Sequence, residues 1–187
     1  MVPMVRYGVG VGLCLLVGCS ETVDPKTLPA GPEQIAETFY RALRANPLMD
    51  LPASEALRPF RPLLQQSLLR RLERAHSVDQ AIRTSALIAT PPALQGSLFT
   101  SLAEGFTDFE LMECQTKKLV SRCQFTLIYE KQGDAIEWQD ELRLRRGRLG
   151  WQVEDVTYGG NWAYAPTGSL TSRLDAVIAT EPAATKP

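Results

Sequence analysis

The spacing of apolar residues changes character along this chain, from a helical period before residue 100 to an alternating one after Thr107. Pro32 opens a helix in which Ile35, Phe39 and Leu43 recur every fourth residue beside Ala36, and Asn46-Pro47 closes it. Ser54 is placed to cap a second helix carrying the stripe Leu57, Phe60, Leu64, Leu68 and Leu72. Pro59 and Pro62 fit its opening turns or a kink, and the single histidine, His76, ends it. Ser77–Gly105, broken by Pro91-Pro92 and Gly96, reads as a packed loop with a helical turn. Gln124–Lys131 then alternates, with Phe125, Leu127 and Tyr129 on one face. Gly133-Asp134 marks a turn, Ala135–Arg146 the next strand, Gly147-Arg148 a two-residue hairpin turn, and Leu149–Tyr158 the return strand. Ser169 caps a last helix with Leu170, Leu174, Val177 and Ile178.

Helices followed by an antiparallel meander define an α+β class, with N-terminal helices packed against a curved antiparallel sheet. The pattern predicts a single domain over 32–178 and a disordered tail over 179–187. Arg70, Arg71 and Arg74 decorate the polar side of the second helix, and Glu73 interrupts them as on a solvated face.

The N-terminus adds an address. Arg6 precedes an apolar run, Tyr7–Gly18, that is too short for the ~20 residues of a membrane-spanning helix. With Leu16-Val17-Gly18-Cys19 at its end, the segment resembles a bacterial lipoprotein signal. That resemblance implies a signal peptide over 1–18, acylation of Cys19 and a tether over 19–31. Ser20 after the cysteine implies outer-membrane sorting, with the domain facing the periplasm. An ordinary cleaved signal with an incidental cysteine is the plainer alternative. Losing Arg6 leaves 19 of the 20 Lys and Arg against 21 Asp and Glu, so no basic excess points to nucleic acid. Of four cysteines, Cys114 and Cys123 lie nine apart; with Gln115–Arg122 as a hairpin loop they face each other as a disulfide. Two thiols without histidines make a poor zinc site.

Trp138-Gln139-Asp140 and Trp151-Gln-Val-Glu-Asp155-Val-Thr-Tyr158, on a long-stranded meander after helices, resemble the cystatin-like, cone-shaped fold of the nuclear-transport-factor-2-like superfamily. Pro91-Pro92, Gly96–Gly105 and Gly159-Gly160-Asn-Trp162 look like a set of proteobacterial lipoproteins whose domain has unknown function. The resemblance implies a fold and an address; the superfamily hosts isomerases, dehydratases and non-catalytic modules alike.

Candidate chemistry centres on Asp140. It shares the apolar face of its strand with Ile136, Trp138, Leu142 and Leu144. With Gly147-Arg148 as the turn, Leu144 faces Trp151, Leu142 faces Val153, and Asp140 faces Asp155, two like charges that need compensation. One reading is a general acid or base in a cone-shaped cavity beside Tyr40, Tyr129 and Tyr158, as isomerases of the resembling superfamily have. The other is a hydrogen-bonded structural aspartate, with a β-bulge turning Asp155 outward. His76 alone builds neither a metal site nor an obvious triad, and no phosphate loop, nucleophile elbow or cofactor motif is present. Trp162 and Tyr164 follow the last strand in a Gly-rich loop; exposed they make a contact surface, and buried they plug the cone. Trp138 and Tyr158 join them as binding candidates. The expected function is a lipid-anchored, non-catalytic module for another envelope component, a protein, without nucleic acid or cofactor. The alternative is a small apolar-ligand-binding or isomerase-like enzyme using Asp140.

Overall fold

The computed structural model describes residues 31–86 and 89–181. The leader 1–18, Cys19, the tether up to residue 30 and the end of the tail from 182 lie outside the described residues. The fold is α+β: α1 (Pro32–Ala45), α2 (Gln66–Ser85), then β1 (Asp108–Lys117), β2 (Val120–Lys131), β3 (Asp134–Gly147) and β4 (Gly150–Thr157), and finally α3 (Leu170–Ala179). The strands form an open antiparallel sheet in the order β1-β2-β3-β4. Helices pack on one face of it, and the other face is polar and solvent-exposed.

Helix α1 buries Ile35, Ala36, Phe39, Tyr40 and Leu43 against the sheet, the stripe its spacing predicts. Phe39 is central: Tyr40, Phe60 and Phe99 meet its ring edge-on, at centroid distances of 5.7, 6.2 and 5.2 Å. Ser169 caps α3 through a capping box with Ser172. The helix continues to Ala179, and Glu181 pairs with Arg74, so the ordered domain runs past residue 178.

The second helix differs from expectation. The segment from Ser54 makes turns and a short 3-10 helix at Arg58–Phe60, and α2 starts only at Gln66. Pro59 and Pro62 bring no N–H donors, and the chain after them is used elsewhere. Leu63–Gln65 runs extended beside β4, with Gln65 N–H donating to the Val153 carbonyl and Val153 N–H to that of Leu63, at 2.8 and 2.7 Å. Gln152 completes this seam by donating to the Pro62 and Leu64 carbonyls. An edge strand is thereby covered. Ser54 does not cap a helix; its hydroxyl bonds Glu73 and Arg61. Helix α2 then runs through Ser77 to Ser85, so His76 is internal to it, with Nδ1 2.9 Å from the Leu51 carbonyl. Arg71 and Arg74 pair with Asp175 and Glu181, tying α2 to α3. Among its described residues the following packed loop forms no helix, only a hydrogen-bonded turn from Leu102 to Gly105, and it buries Leu94, Leu98 and Phe99.

The β3–β4 register also corrects the sequence reading. Gly147 pairs with Gly150, which takes φ +95°, and the turn is Arg148-Leu149. Leu144 therefore faces Val153, and Arg146 faces Trp151. A bulge at Glu154 shifts the ladder again, so Asp155 faces Arg143 and not Asp140. The turn at the other end of the sheet is Gln132-Gly133, both with positive φ, and Asp134 already pairs with Lys131. Cys114 and Cys123 face each other across β1 and β2 and are bonded. Their ladder continues to Lys117 and Val120, leaving only Lys118-Leu119 as the loop.

Replacing both cysteines by alanine is expected to lower stability by about 2–3 kcal/mol, from the loop entropy of the unfolded chain. Denaturant melts check this, and a loss under ~0.5 kcal/mol would show that strand pairing alone holds the hairpin.

Candidate functional site

Strand β3 delivers Asp140 to the core face, between Trp138 and Leu142, with 1% of its surface exposed. A carboxylate there requires hydrogen-bond donors. Four supply it. Ser101 donates its backbone N–H to Oδ2 at 2.8 Å and its hydroxyl to Oδ1 at 2.5 Å. Trp138 donates its indole N–H to Oδ2 at 3.0 Å, and Gly159 its N–H to Oδ1 at 2.9 Å. The Ser101 hydroxyl in turn accepts from Gly160 N–H at 3.0 Å. Both glycines are needed for approach: a Cβ on Gly159 would overlap the Gln139 carbonyl oxygen, and one on Gly160 would strike Ser101 and the Trp162 ring.

Asp140 thus fastens two loops to the sheet, the one around Ser101 and the one after β4. Asp155 does the same for α3, accepting from Thr171 N–H at 2.9 Å and from its hydroxyl at the helix N-terminus. The two carboxylates named together from the sequence occupy separate places and do not form a pair. Ser101 and Thr171 carried no sequence signal, because each partner is fixed only by long-range packing.

Of the tyrosines named beside Asp140, Tyr40 and Tyr158 feel its field, while Tyr129 is half-buried near the other end of β2. Burial first, then the charge of Asp140, pushes the Tyr40 hydroxyl well above the usual tyrosine value. Burial likewise pushes Tyr158 up to about 12, against the lowering effect of Arg173 beside its ring. The Tyr158 hydroxyl donates to the Leu98 carbonyl at 2.7 Å, a third tie onto the same loop.

The fastened loops shape a surface cleft of about 420 Å³ between Leu102, Glu104, Trp162, Tyr164 and Arg173. Trp162 is half-buried and meets Trp138 edge-on at 5.8 Å, whereas Tyr164 is 96% exposed at the rim. Asp140 does not line this cleft. Among the described residues no group of three or more His, Cys, Asp or Glu is arranged to hold a metal ion. No helix among them is long and apolar enough to cross a membrane.

No family model matches this chain, and no curated protein matches it. Among solved structures, a SEC-C motif-containing protein from Rhodopseudomonas palustris is similar, with a TM-score of 0.42 and 12% identity. The match covers 69% of this chain and 79% of that one, and assigns neither family nor function. What the fold and site define is an α+β domain in which buried Asp140 and half-buried Asp155 serve as fastenings.

Asp140→Asn presents an amide donor to positions already filled by donors, and should cost about 2–4 kcal/mol by denaturant melt. A cost below ~0.5 kcal/mol would contradict the fastening. Alkaline titration supplies a second check. An unfolded tyrosine ionises near 10, whereas native Tyr158 holds its proton to about 12. Its contribution is present below pH ~10 and is lost as pH rises through that window. Tyrosinate absorbance from the buried rings should therefore rise together with loss of circular dichroism, not ahead of it.

Proposed function

We propose that this chain is a lipid-anchored periplasmic protein of the outer membrane, acting as a non-catalytic binding module for another cell-envelope protein. In this reading residues 1–18 are a lipoprotein signal peptide, Cys19 carries the acyl anchor and the domain is a nuclear-transport-factor-2-like cone. The anchor rests on the Leu16–Cys19 resemblance to a lipobox. Acyl chains at about 0.8 kcal/mol per methylene hold such a domain at a membrane.

One observation carries the binding role: Tyr164 stands 96% exposed on a loop that Asp140, Ser101 and Trp138 hold in place. An aromatic on a rigid loop offers contact area at little entropic cost. Trp162, Arg173 and Glu104 beside it add an apolar wall and both signs of charge. The alternative, an isomerase-like enzyme, needs Asp140 to exchange protons with a ligand. Its four donors and its burial favour the structural role, and no observation favours the enzyme.

A photo-crosslinking residue at position 164 of the full chain, expressed in its own envelope, is expected to give a discrete protein adduct. The same residue at exposed Glu130, across the sheet, should not. Adducts at neither position, or equally at both, would remove the support for this surface. In the same cells Cys19→Ser should abolish acylation and release the chain from the membrane fraction; retention of the acyl label would refute the anchor.

A further inference from the structure

Two hairpin tips lie side by side at one end of the sheet. Val120 pairs with Arg145, so the Lys118-Leu119 turn and the Arg148-Leu149 turn point the same way, and Arg146 N–H donates to the Leu119 carbonyl at 2.9 Å. Each tip ends in an exposed leucine, Leu119 at 56% and Leu149 at 71%. The segments 117–122 and 143–150 that form this end contain seven Lys and Arg and no acidic residue. Glu141 and Glu154, from neighbouring positions, pair with Arg122 and with Arg143 and Arg145. Lys117, Lys118, Arg146 and Arg148 remain outside those pairs. Beside the Lys118-Leu119 tip, on the polar face, lies an open basin of about 820 Å³ lined by Lys117, Lys118, Arg122, Arg143 and Arg145.

The opposite end of that face has the opposite sign. Following the pairing, rows such as Gln115–Arg122–Arg143 and Lys117–Val120–Arg145 give way to Glu113–Gln124–Glu141 and Asp108–Ile128–Glu137. The polar face is therefore graded from basic at the leucine tips to acidic at the far end. Negative surfaces attract one end only, which sets an orientation.

The geometry points to the leucine tips as a docking surface for an anionic lipid bilayer, with the two side chains entering the headgroup layer and the basin receiving lipid phosphates. Apolar side chains at the apex of a cationic collar match the layering of a membrane surface, apolar below and anionic above. A flat acidic protein would meet the charges but leave both apical leucines without a purpose, and so fits less well. Lys and Arg stems add apolar length beneath their charges. This docking does not depend on acylation of Cys19; with the anchor present it would hold the domain upright at the membrane, and without it the tips would still recognise the lipid.

The test uses the full chain with Cys19→Ser, mixed with phosphatidylcholine vesicles or with phosphatidylglycerol–phosphatidylcholine vesicles. Hydrogen exchange is read at residues 117–120 and 147–150. On anionic vesicles exchange at both tips should slow by about tenfold, reverse as salt is raised, and stay unchanged on neutral vesicles. Leu119→Ser/Leu149→Ser and Lys117→Glu/Lys118→Glu should each abolish the slowing, with circular dichroism unchanged; all four residues are at the surface. Should a variant misfold, the comparison of anionic with neutral vesicles decides alone. Unchanged tip exchange on anionic vesicles overturns the proposal, even if another segment brings the chain to the lipid. Equal slowing on neutral vesicles overturns it too, as does slowing by soluble glycerophosphoglycerol alone, which would make the basin a site for free anions. None of these outcomes bears on acylation of Cys19, which is read separately.

Discussion

A single carboxylate organises the surface of this domain from within. Asp140 sits on the core face of β3, where an apolar residue would be the ordinary choice, and collects its four donors from three places in the chain. Burying it without them would cost several kcal/mol, so the loop around Ser101 and the loop at Gly159 are held by the penalty of letting go. The consequences run outward in order. Ser101 fixes Gly160, Trp138 is oriented by its indole bond, Trp162 packs on Trp138, and the cleft beside Tyr164 takes its shape from all of them. Asp155 repeats the device at the start of α3.

This arrangement separates rigidity from chemistry. A proton-transfer group needs room for a ligand and a donor it can lose, whereas Asp140 is enclosed and each oxygen accepts two hydrogen bonds. The surfaces proposed for recognition lie outside this centre, at the aromatic rim and at the cationic hairpin tips. They are at separate positions on the domain, so one surface can face a lipid and another a protein.

Much of the architecture was legible in the sequence because it rests on periodicity and local capping. Helix α1 follows from Pro32 and the Ile35–Phe39–Leu43 spacing, α3 from Ser169, and the strands from alternation. The facing of Cys114 and Cys123 needed only a hairpin between them. The β3–β4 register was not legible, for a physical reason: the real ladder near the turn is displaced by a whole side-chain period, which leaves every residue on the same face. Near the turn the pattern therefore cannot distinguish it from the expected one; beyond Val153 the bulge at Glu154 carries Asp155 to the other face, opposite Arg143, so no Asp140–Asp155 pair forms. The start of α2 is not legible because Leu64 suits a helical stripe and an extended contact with Val153 equally well. Asp140 itself could be found, as a charge on an apolar face. Ser101 could not, since it lies 39 residues away in a loop without period.

Native-state hydrogen exchange at the Ser101 and Gly159 amides tests the central claim most directly. If Asp140 is the fastening described, both amides, although in loops, exchange only through global unfolding, as slowly as Phe125 and Leu142 in the central strands. Exchange at rates typical of exposed loops, with β2 and β3 still protected, would mean that these bonds open freely and that Asp140 does not hold the surface together.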